Sequence, residues 1–194
     1  MATAAARTVE AMNVDGFLAF LDGRPPDERW ELRDGVPRLM VGGTVRHARI
    51  AGNIDHGLFA AARARGCEVI RGLLVEADLH SAYEPDVLIR CGRLDELSRR
   101  EPAPRVVFEV LSPTTMQHDR GPKFDGYRAL PSLEQVVLVY QDSYRVESWL
   151  RRDANWADAP LVLTRLDESL AIPVIGASIT MADIYLDVTP SPLG

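Results

Sequence analysis

The residues best suited to chemistry are two carboxylates and the only lysine of the chain. Asp86 stands directly before the apolar run VLI, Glu109 interrupts the apolar run RVVFEVL, and Lys123 follows both. The other 21 of the 22 Lys and Arg residues are arginines. Divalent cations such as Mg²⁺ prefer oxygen ligands, commonly one or two carboxylates with water and phosphate oxygens. A cationic side chain can stabilise the charge that builds up on a phosphoryl group. The three residues therefore predict a metal-assisted site for phosphodiester chemistry.

Lysine offers such a site a property that arginine lacks. Its ammonium group is compact and its pKa shifts readily on burial, whereas a guanidinium stays protonated. We therefore expect Lys123 to orient a water molecule or to exchange a proton.

Each of the three residues also has an ordinary explanation. Glu109 is compatible with a solvated strand end or with pairing to an arginine. Asp86 follows Pro85, and an aspartate beside a proline is common in turns. A single lysine is compatible with chance residue usage. The coincidence of the three groups in one stretch favours the site.

Hydrophobic patterns predict the elements that position these residues. Asn13 is a candidate N-cap for a first helix, residues 45–65 have apolar side chains at helical spacing, and Asp34 with Gly35 predicts a hairpin turn. Further strands are expected over 68–76, 86–90, 105–111, 135–140, 144–150 and 161–165, and a further helix over 119–130. This order predicts an α/β fold, bordering on α+β, with a central mixed β-sheet flanked by helices.

The run RVVFEVL is typical of a strand that is buried on both faces. Side chains alternate along a strand, so Val107, Glu109 and Leu111 share one face. A carboxylate inside such a strand is costly unless a partner or a metal ion neutralises it.

Length and composition exclude several classes of protein. The 194 residues predict one domain over residues 1–194, and the net charge of −6 argues against a large basic face but not against a local one. Cys67 and Cys91 have neither metal-ligand spacing nor the number of a disulfide framework, so reduced thiols are expected. No apolar run approaches about 18 residues and no secretory signal is recognisable, which predicts no membrane helix and a cytoplasmic location.

The sequence PD at Pro85 and Asp86, followed by EVL from Glu109, resembles the PD-(D/E)xK restriction-endonuclease-like nuclease superfamily. A longer pattern, ELRDG…H…PDVLI…VVFEVLSPTT…DRGPKFDGY, is similar to a large bacterial family of restriction-endonuclease-like proteins, over roughly residues 12–185. The superfamily places a lysine two residues after the acid, where this chain has Leu111. In the similar bacterial proteins the lysine lies on the following helix, as Lys123 does here.

The resemblance implies a restriction-endonuclease-like core and a magnesium-dependent DNA endonuclease that works as a homodimer. Asp86, Glu109 and the backbone carbonyl of Val110 would hold Mg²⁺, or Mn²⁺, and Lys123 would complete the catalytic set. Glu31, in the matching stretch WELRDG, is either a third acidic ligand or a solvated hairpin carboxylate.

Three further residues fall within the resemblance and have open roles. His47 is either a site residue or a surface or capping group, and Asp119 is a candidate helix cap. Tyr127 lies four residues after Lys123, on the same helix face, where it would either orient the ammonium or simply pack.

Eight arginines in the half of the chain that holds Glu109 and Lys123 are expected to rim the site and contact phosphates. They are Arg99, Arg100, Arg105, Arg120, Arg128, Arg145, Arg151 and Arg152. Two alternatives stay open: a catalytically degraded nuclease fold that binds nucleic acid or protein, and a hydrolase of another substrate with a similar metal site. The sequence contains no nucleophile elbow, no phosphate-cradling glycine loop and no zinc-ligand spacing.

Overall fold

The computed structural model describes residues 11–40, 42–93, 95–112 and 116–191, without the side chain of Gln117. Residues 113–115, part of the string EVLSPTT, lie outside the described residues. The described helices, in chain order, are α1 (Val14–Leu21), α2 (Val45–Ala64), α3 (Met116–Asp119), α4 (Pro122–Ala129) and α5 (Met181–Ile184), with a 3₁₀ turn at Pro173–Ile175.

The described strands form two larger sheets and one hairpin. In chain order they are β1 (Trp30–Arg33), β2 (Val36–Leu39), β3 (Cys67–Ile70), β4 (Leu74–Asp78), β5 (Ser81–Tyr83), β6 (Val87–Cys91), β7 (Arg100–Glu101), β8 (Val106–Leu111), β9 (Gln135–Tyr140), β10 (Val146–Arg152), β11 (Asn155–Trp156), β12 (Leu161–Leu163), β13 (Ser169–Ile172) and β14 (Ala177–Thr180).

The central sheet has seven strands in the order β11-β10-β9-β8-β6-β3, with β12 also paired to β10. The β8–β9 pair is parallel and the β6–β8 pair is antiparallel, so the sheet is mixed. The second sheet has the order β2-β1-β5-β4-β7, and β13 pairs with β14. The predicted α/β architecture with a central mixed sheet and flanking helices is confirmed.

Helices cover both faces of the central sheet. Helix α2 packs Ile50, Ile54 and Leu58 on the face that includes Phe108. Helix α4 packs on the opposite face, against side chains that include Val107 and Leu111. All six residues of β8 are buried, as its apolar sequence predicts. The alternation along β8 therefore directs Glu109 towards α4.

Two local predictions, a helix cap and a hairpin turn, are confirmed. The Asn13 side chain caps α1 by accepting a hydrogen bond from the Gly16 N–H at 2.8 Å. Asp34 and Gly35 have φ of 49° and 75°, the left-handed backbone that a tight hairpin turn requires. None of the helices that the structure describes is long and apolar enough to cross a membrane.

Three element predictions are wrong in extent. The single strand expected over 68–76 is two strands in different sheets, β3 and β4, separated by Gly72 at φ of 71°. The helix expected over 119–130 is divided into α3 and α4 at Gly121. The strand expected over 144–150 is β10, Val146–Arg152. The short strands β5, β7, β11, β13 and β14 have no counterpart in the sequence prediction, because two to four residues are too few to show a period.

The expectation of reduced thiols is also wrong, since Cys67 and Cys91 form a disulfide. The two cysteines are direct partners in the antiparallel ladder between β3 and β6, at a sequence separation of 24. Spacing alone gave no sign of this pair, because the strand register that brings the sulfurs together is a tertiary feature.

Removing the disulfide is expected to lower the free energy of unfolding by about 3 kcal/mol, the loop-closure contribution for a separation of this size. The measurement is urea denaturation of the wild type and of Cys67→Ala/Cys91→Ala, each with and without dithiothreitol. The reductant should lower the wild-type midpoint towards that of the variant and leave the variant unchanged. A wild-type midpoint that does not respond to the reductant would contradict this expectation.

Candidate active site

The pairing of β6 with β8 brings the two predicted carboxylates to neighbouring positions. Val87 lies opposite Phe108 in this ladder, so Asp86, one residue before β6, lies beside the Glu109–Val110 segment. The Asp86 Oδ2 atom accepts a hydrogen bond from the Val110 N–H at 2.8 Å. The strand neighbourhood expected from the two apolar runs is therefore present.

Lys123 approaches the same place from the first turn of α4 and is only 2% exposed. Its Nζ atom lies 2.8 Å from Glu31 Oε1, 2.9 Å from Glu109 Oε1 and 3.9 Å from Asp119 Oδ1. The rings of Tyr83 and Tyr127 flank it, with centroids 6.0 and 5.9 Å from Nζ. The lysine thus joins carboxylates from both sheets and from α3 in one buried cluster.

The cluster fixes the protonation state of Lys123. Burial by itself lowers the pKa of the ammonium, but the negative charges of Glu109, Glu31 and Asp119 outweigh it, and the pKa is raised above its ordinary value. The surrounding carboxylates therefore favour the charged ammonium at neutral pH. Of the two roles expected for Lys123, this direction favours orienting a water molecule over exchanging a proton.

Glu31 comes from β1 in the second sheet and is fully buried. Its Oε2 atom accepts hydrogen bonds from Arg33 Nε at 3.0 Å and Nη2 at 2.7 Å, and its Oε1 atom accepts one from the Glu84 N–H at 3.3 Å. Burial raises the pKa of Glu31, but Lys123 and Arg33 more than compensate and the pKa is lowered. Glu31 is therefore an ionised partner of two cations and not a solvated hairpin carboxylate.

Glu109 is 3% exposed, which excludes a solvated strand end. The Tyr127 hydroxyl donates a hydrogen bond to Oε1 at 2.7 Å, the same atom that contacts Lys123. Burial raises the pKa of Glu109 well above its ordinary value; Lys123 opposes this rise, whereas Asp119 and Asp86 add to it. Burial and the two acidic neighbours thus destabilise the charged form of Glu109 by more than Lys123 stabilises it.

His47 lies against Asp86. It is in the first turn of α2, whose N-cap is Thr44, and its Nε2 atom lies 3.2 Å from Asp86 Oδ2. Burial raises the pKa of Asp86, but the contact with His47, the charge of Lys123 and the bond from Val110 lower it overall. His47 is therefore a neighbour of the site, a role that the sequence left open.

Sequence reasoning missed two contributors. Arg33 stands two positions after Glu31 on β1, so the period of a strand places both side chains on one face and could have revealed the pair. Tyr83, on β5, had no such signal, because its approach to Lys123 depends on the packing of one sheet against the other.

Most of the eight arginines expected to rim the site have other partners or lie away from Glu109. Arg99, Arg100 and Arg105 pair with acidic side chains elsewhere, and Arg128 contacts aromatic rings. Arg151 and Arg152 follow Leu150, which pairs with Gln135 at the start of β9, whereas Glu109 lies nearer the end of β8. Two of the eight remain beside the site, because they meet at Tyr140, the last residue of β9: Arg120 and Arg145.

Comparison with known proteins places the chain in a family. The family model described as "Uma2: Putative restriction endonuclease" matches residues 14–182, most of the chain. The protein belongs to this family. The predicted resemblance to bacterial restriction-endonuclease-like proteins is therefore confirmed.

Relatives of this Uma2-family protein occur in Synechocystis. "Uncharacterized protein slr1290" is 28% identical over 165 residues, covering 81% of this chain and 84% of the relative. "Uncharacterized protein sll1609" is 27% identical over 135 residues, covering 66% of this chain and 76% of the relative. A crystal structure from Anabaena variabilis, described as a "putative nuclease belonging to DUF820", has a TM-score of 0.72 at 15% identity and covers 89% of this chain and 97% of its own. That last likeness shows the shared fold.

The oxygen atoms of the Uma2 site suit a hard cation, although they do not form a complete cage. Across the part of the chain that the structure describes, no three acidic, histidine or cysteine side chains converge as a ready metal site. Mg²⁺ commonly needs only one or two carboxylates and keeps several waters. Glu109, which is buried, and Asp86, which is partly buried beside it, supply such a pair.

Proposed function

We propose that this protein is a magnesium-dependent DNA endonuclease that hydrolyses phosphodiester bonds with a PD-(D/E)xK-type site. The observation that carries this proposal is the buried lysine held between Glu31 and Glu109, next to Asp86 at the end of a buried strand. Membership of the Uma2 family supports it. Perturbed, buried ionisable groups that converge from several elements are typical of catalytic sites.

The residues that would hold Mg²⁺ are Asp86, Glu109 and the backbone carbonyl of Val110, and Mn²⁺ suits the same ligands. The fit rests on charge and geometry: Glu109 shares the ammonium of Lys123 with Glu31, and burial together with Asp119 and Asp86 still raises the pKa of Glu109, so a further cation would stabilise its charged form. The donors are oxygens, as a hard cation requires. Bound there, the cation would act as a Lewis acid towards a water molecule and a phosphoryl oxygen.

Lys123 supplies a positive charge to the face of β8 that carries Glu109. The superfamily position for this lysine is Leu111, which is 1% exposed and packed under α4. We propose that the ammonium reaches the site from α4 instead, and that it stabilises the attacking hydroxide or the charge developing on the phosphoryl oxygens. Its raised pKa suits that electrostatic role and not that of a proton acceptor.

We propose Glu31 as a positioning residue. Its two oxygens already accept hydrogen bonds from Arg33 and from the Glu84 N–H and contact Lys123. It is therefore better suited to hold the ammonium than to be a third metal ligand. His47 would similarly orient the carboxylate of Asp86 through its contact at 3.2 Å.

Two features of the proposal rest on analogy. Duplex cleavage needs two active sites, and a symmetric homodimer supplies them, so light scattering should report twice the mass of the chain. A cytoplasmic location, the second feature, would give such an enzyme access to DNA, and cell fractionation would test it.

The test is a cleavage assay on single- and double-stranded DNA with Mg²⁺, with Mn²⁺ and with EDTA. The wild type should cleave only with a divalent cation, and Asp86→Asn should lose cleavage. Asp158→Asn, a matched change at an exposed aspartate, should retain it. Cleavage that persists in EDTA would contradict the metal site. A wild type that binds DNA and cleaves under no condition would favour the binding-only alternative.

A further inference from the structure

A second ionic cluster lies on the same face of the central sheet as Glu109. Glu147, on β10, is 1% exposed. Its Oε1 atom accepts hydrogen bonds from Arg145 Nη2 at 2.8 Å, from Arg145 Nε at 2.9 Å and from the Tyr140 hydroxyl at 3.0 Å. Arg120 Nη2 lies 3.2 Å from Glu147 Oε2, and Arg120 also donates to the Tyr140 hydroxyl. Two guanidinium groups are thus anchored on one buried carboxylate.

Strand register places this cluster beside the proposed active site. Glu109 pairs with Leu138 on β9, and Leu138 pairs with Glu147 on β10, so the three form one row across the sheet. Neighbouring strands are about 4.8 Å apart, so the two glutamates are about 10 Å apart at their backbones. Arg120 also follows Asp119, whose carboxylate is near Lys123. The cluster therefore borders the site on its β10 side.

The charges of the cluster do not balance. Arg120 and Arg145 bring two positive charges against the single negative charge of Glu147, and their side chains are 43% and 40% exposed. By contrast, the buried Glu101 is matched by the buried Arg90. A guanidinium that is anchored at one edge and exposed at another loses little conformational freedom when it binds a further anion. The surplus charge faces solvent next to the carboxylates of the site.

We propose that Arg120 and Arg145 form a phosphate clamp, which binds the backbone of the nucleic acid strand close to the scissile phosphodiester. The idea rests on the proposed function, since it takes Asp86, Glu109 and Lys123 as the place of cleavage. Guanidinium groups bind phosphate oxygens through paired N–H donors. Glu147 and Tyr140 hold the two guanidinium groups in position.

Binding at a series of salt concentrations tests the clamp. The probe is a fluorescein-labelled DNA duplex, followed by anisotropy in EDTA so that no cleavage occurs. Each phosphate contact contributes about 0.9 to the slope of log affinity against log salt. Arg120→Gln and Arg145→Gln should each reduce the slope by about 0.9, and each leaves Glu147 paired with the other arginine. The triple variant Arg120→Gln/Arg145→Gln/Glu147→Gln removes the clamp without leaving a buried charge, and should reduce the slope by about 1.8.

Arg165→Gln is the matched control. Arg165 is 69% exposed and pairs with Asp167. Its substitution by glutamine changes the net charge by the same amount as Arg120→Gln or Arg145→Gln. It should leave the slope unchanged, and thermal melts should show that all variants fold. Slopes that stay at the wild-type value in the Arg120 and Arg145 variants, or a wild type that binds no DNA, would overturn the clamp. Cleavage with Mg²⁺ is measured separately. Reduced slopes in the variants, with no cleavage by the wild type, would support the clamp and reject the proposed function. Cleavage by the wild type, with unchanged slopes in the variants, would support the proposed function and reject the clamp.

Discussion

Lys123→Met is expected to destabilise the fold and to abolish most of the activity. The substitution keeps the aliphatic stem but leaves Glu31 and Glu109 facing each other without the ammonium that lies 2.8 and 2.9 Å from them. Removing one partner of a buried ion pair typically costs about 3–5 kcal/mol. Loss of one electrostatic donor to the transition state typically lowers the rate by about 10²–10³. Urea denaturation measures the first effect, and DNA cleavage by the folded protein measures the second.

The double variant Lys123→Met/Glu31→Gln separates structure from catalysis. Without Lys123, the buried carboxylate of Glu31 would keep only Arg33 as a cationic partner, and Glu31→Gln removes that carboxylate. Glu109 can then become neutral, because its pKa is already raised. We expect stability to recover in part while cleavage stays low. Recovery of cleavage together with stability would show that Lys123 acts only by holding the fold.

Lys123→Arg should also be poor, because a guanidinium is larger than the compact ammonium of lysine. Because the surrounding carboxylates already favour the charged lysine, the difference lies in shape: Lys123 is 2% exposed and is flanked by the rings of Tyr83 and Tyr127. Extra atoms in a packed interior cost about 1–3 kcal/mol. An arginine variant with wild-type stability and rate would contradict this account of the lone lysine.

The sequence predicted the parts of the fold that are specified locally. The strands β8 and β9 are largely apolar, which is typical of strands buried on both faces. The hairpin between β1 and β2 has turn residues that tolerate positive φ. The short strands β13 and β14 could not be predicted, since they exist through pairing with each other. The break at Gly72 was missed for a related reason: β3 and β4 are contiguous in sequence but belong to different sheets.

The candidate site also has one part that the sequence predicts and one part that it could not reveal. The placement of Asp86 beside Glu109 was expected from two apolar runs that each carry one carboxylate, and the pairing of β6 with β8 provides it. The contact between Lys123 and Glu31 joins α4 to the second sheet, so no spacing in the sequence could reveal it. The protonation of Lys123 depended on that contact, because each added carboxylate raises the pKa of the ammonium.

Glu109→Gln should have the opposite effect on stability from Lys123→Met, while also abolishing cleavage. A folded-state pKa that is raised above the unfolded value means that keeping Glu109 ionised at neutral pH costs folding free energy. A neutral glutamine removes this cost, still accepts the hydrogen bond from Tyr127, and leaves Lys123 paired with Glu31. We expect the free energy of unfolding to stay within about 1 kcal/mol of wild type or to rise.

Metal binding and cleavage should nevertheless fail in this variant, because the proposed Mg²⁺ site loses one of its two carboxylates. Mg²⁺ should raise the melting temperature of the wild type, as a ligand of the folded state does, and should not raise that of Glu109→Gln. Cleavage should fall by more than the loss of about 10–100-fold that is typical of residues which only support metal ligands.

Glu101→Gln is the matched control. Glu101 is similarly buried but pairs with Arg90, away from the site. This variant should lose about 1.5–3 kcal/mol of stability and should still cleave DNA. A Glu109→Gln protein that cleaves DNA at the wild-type rate would remove Glu109 from the active site and leave the raised pKa as a feature of the buried cluster alone.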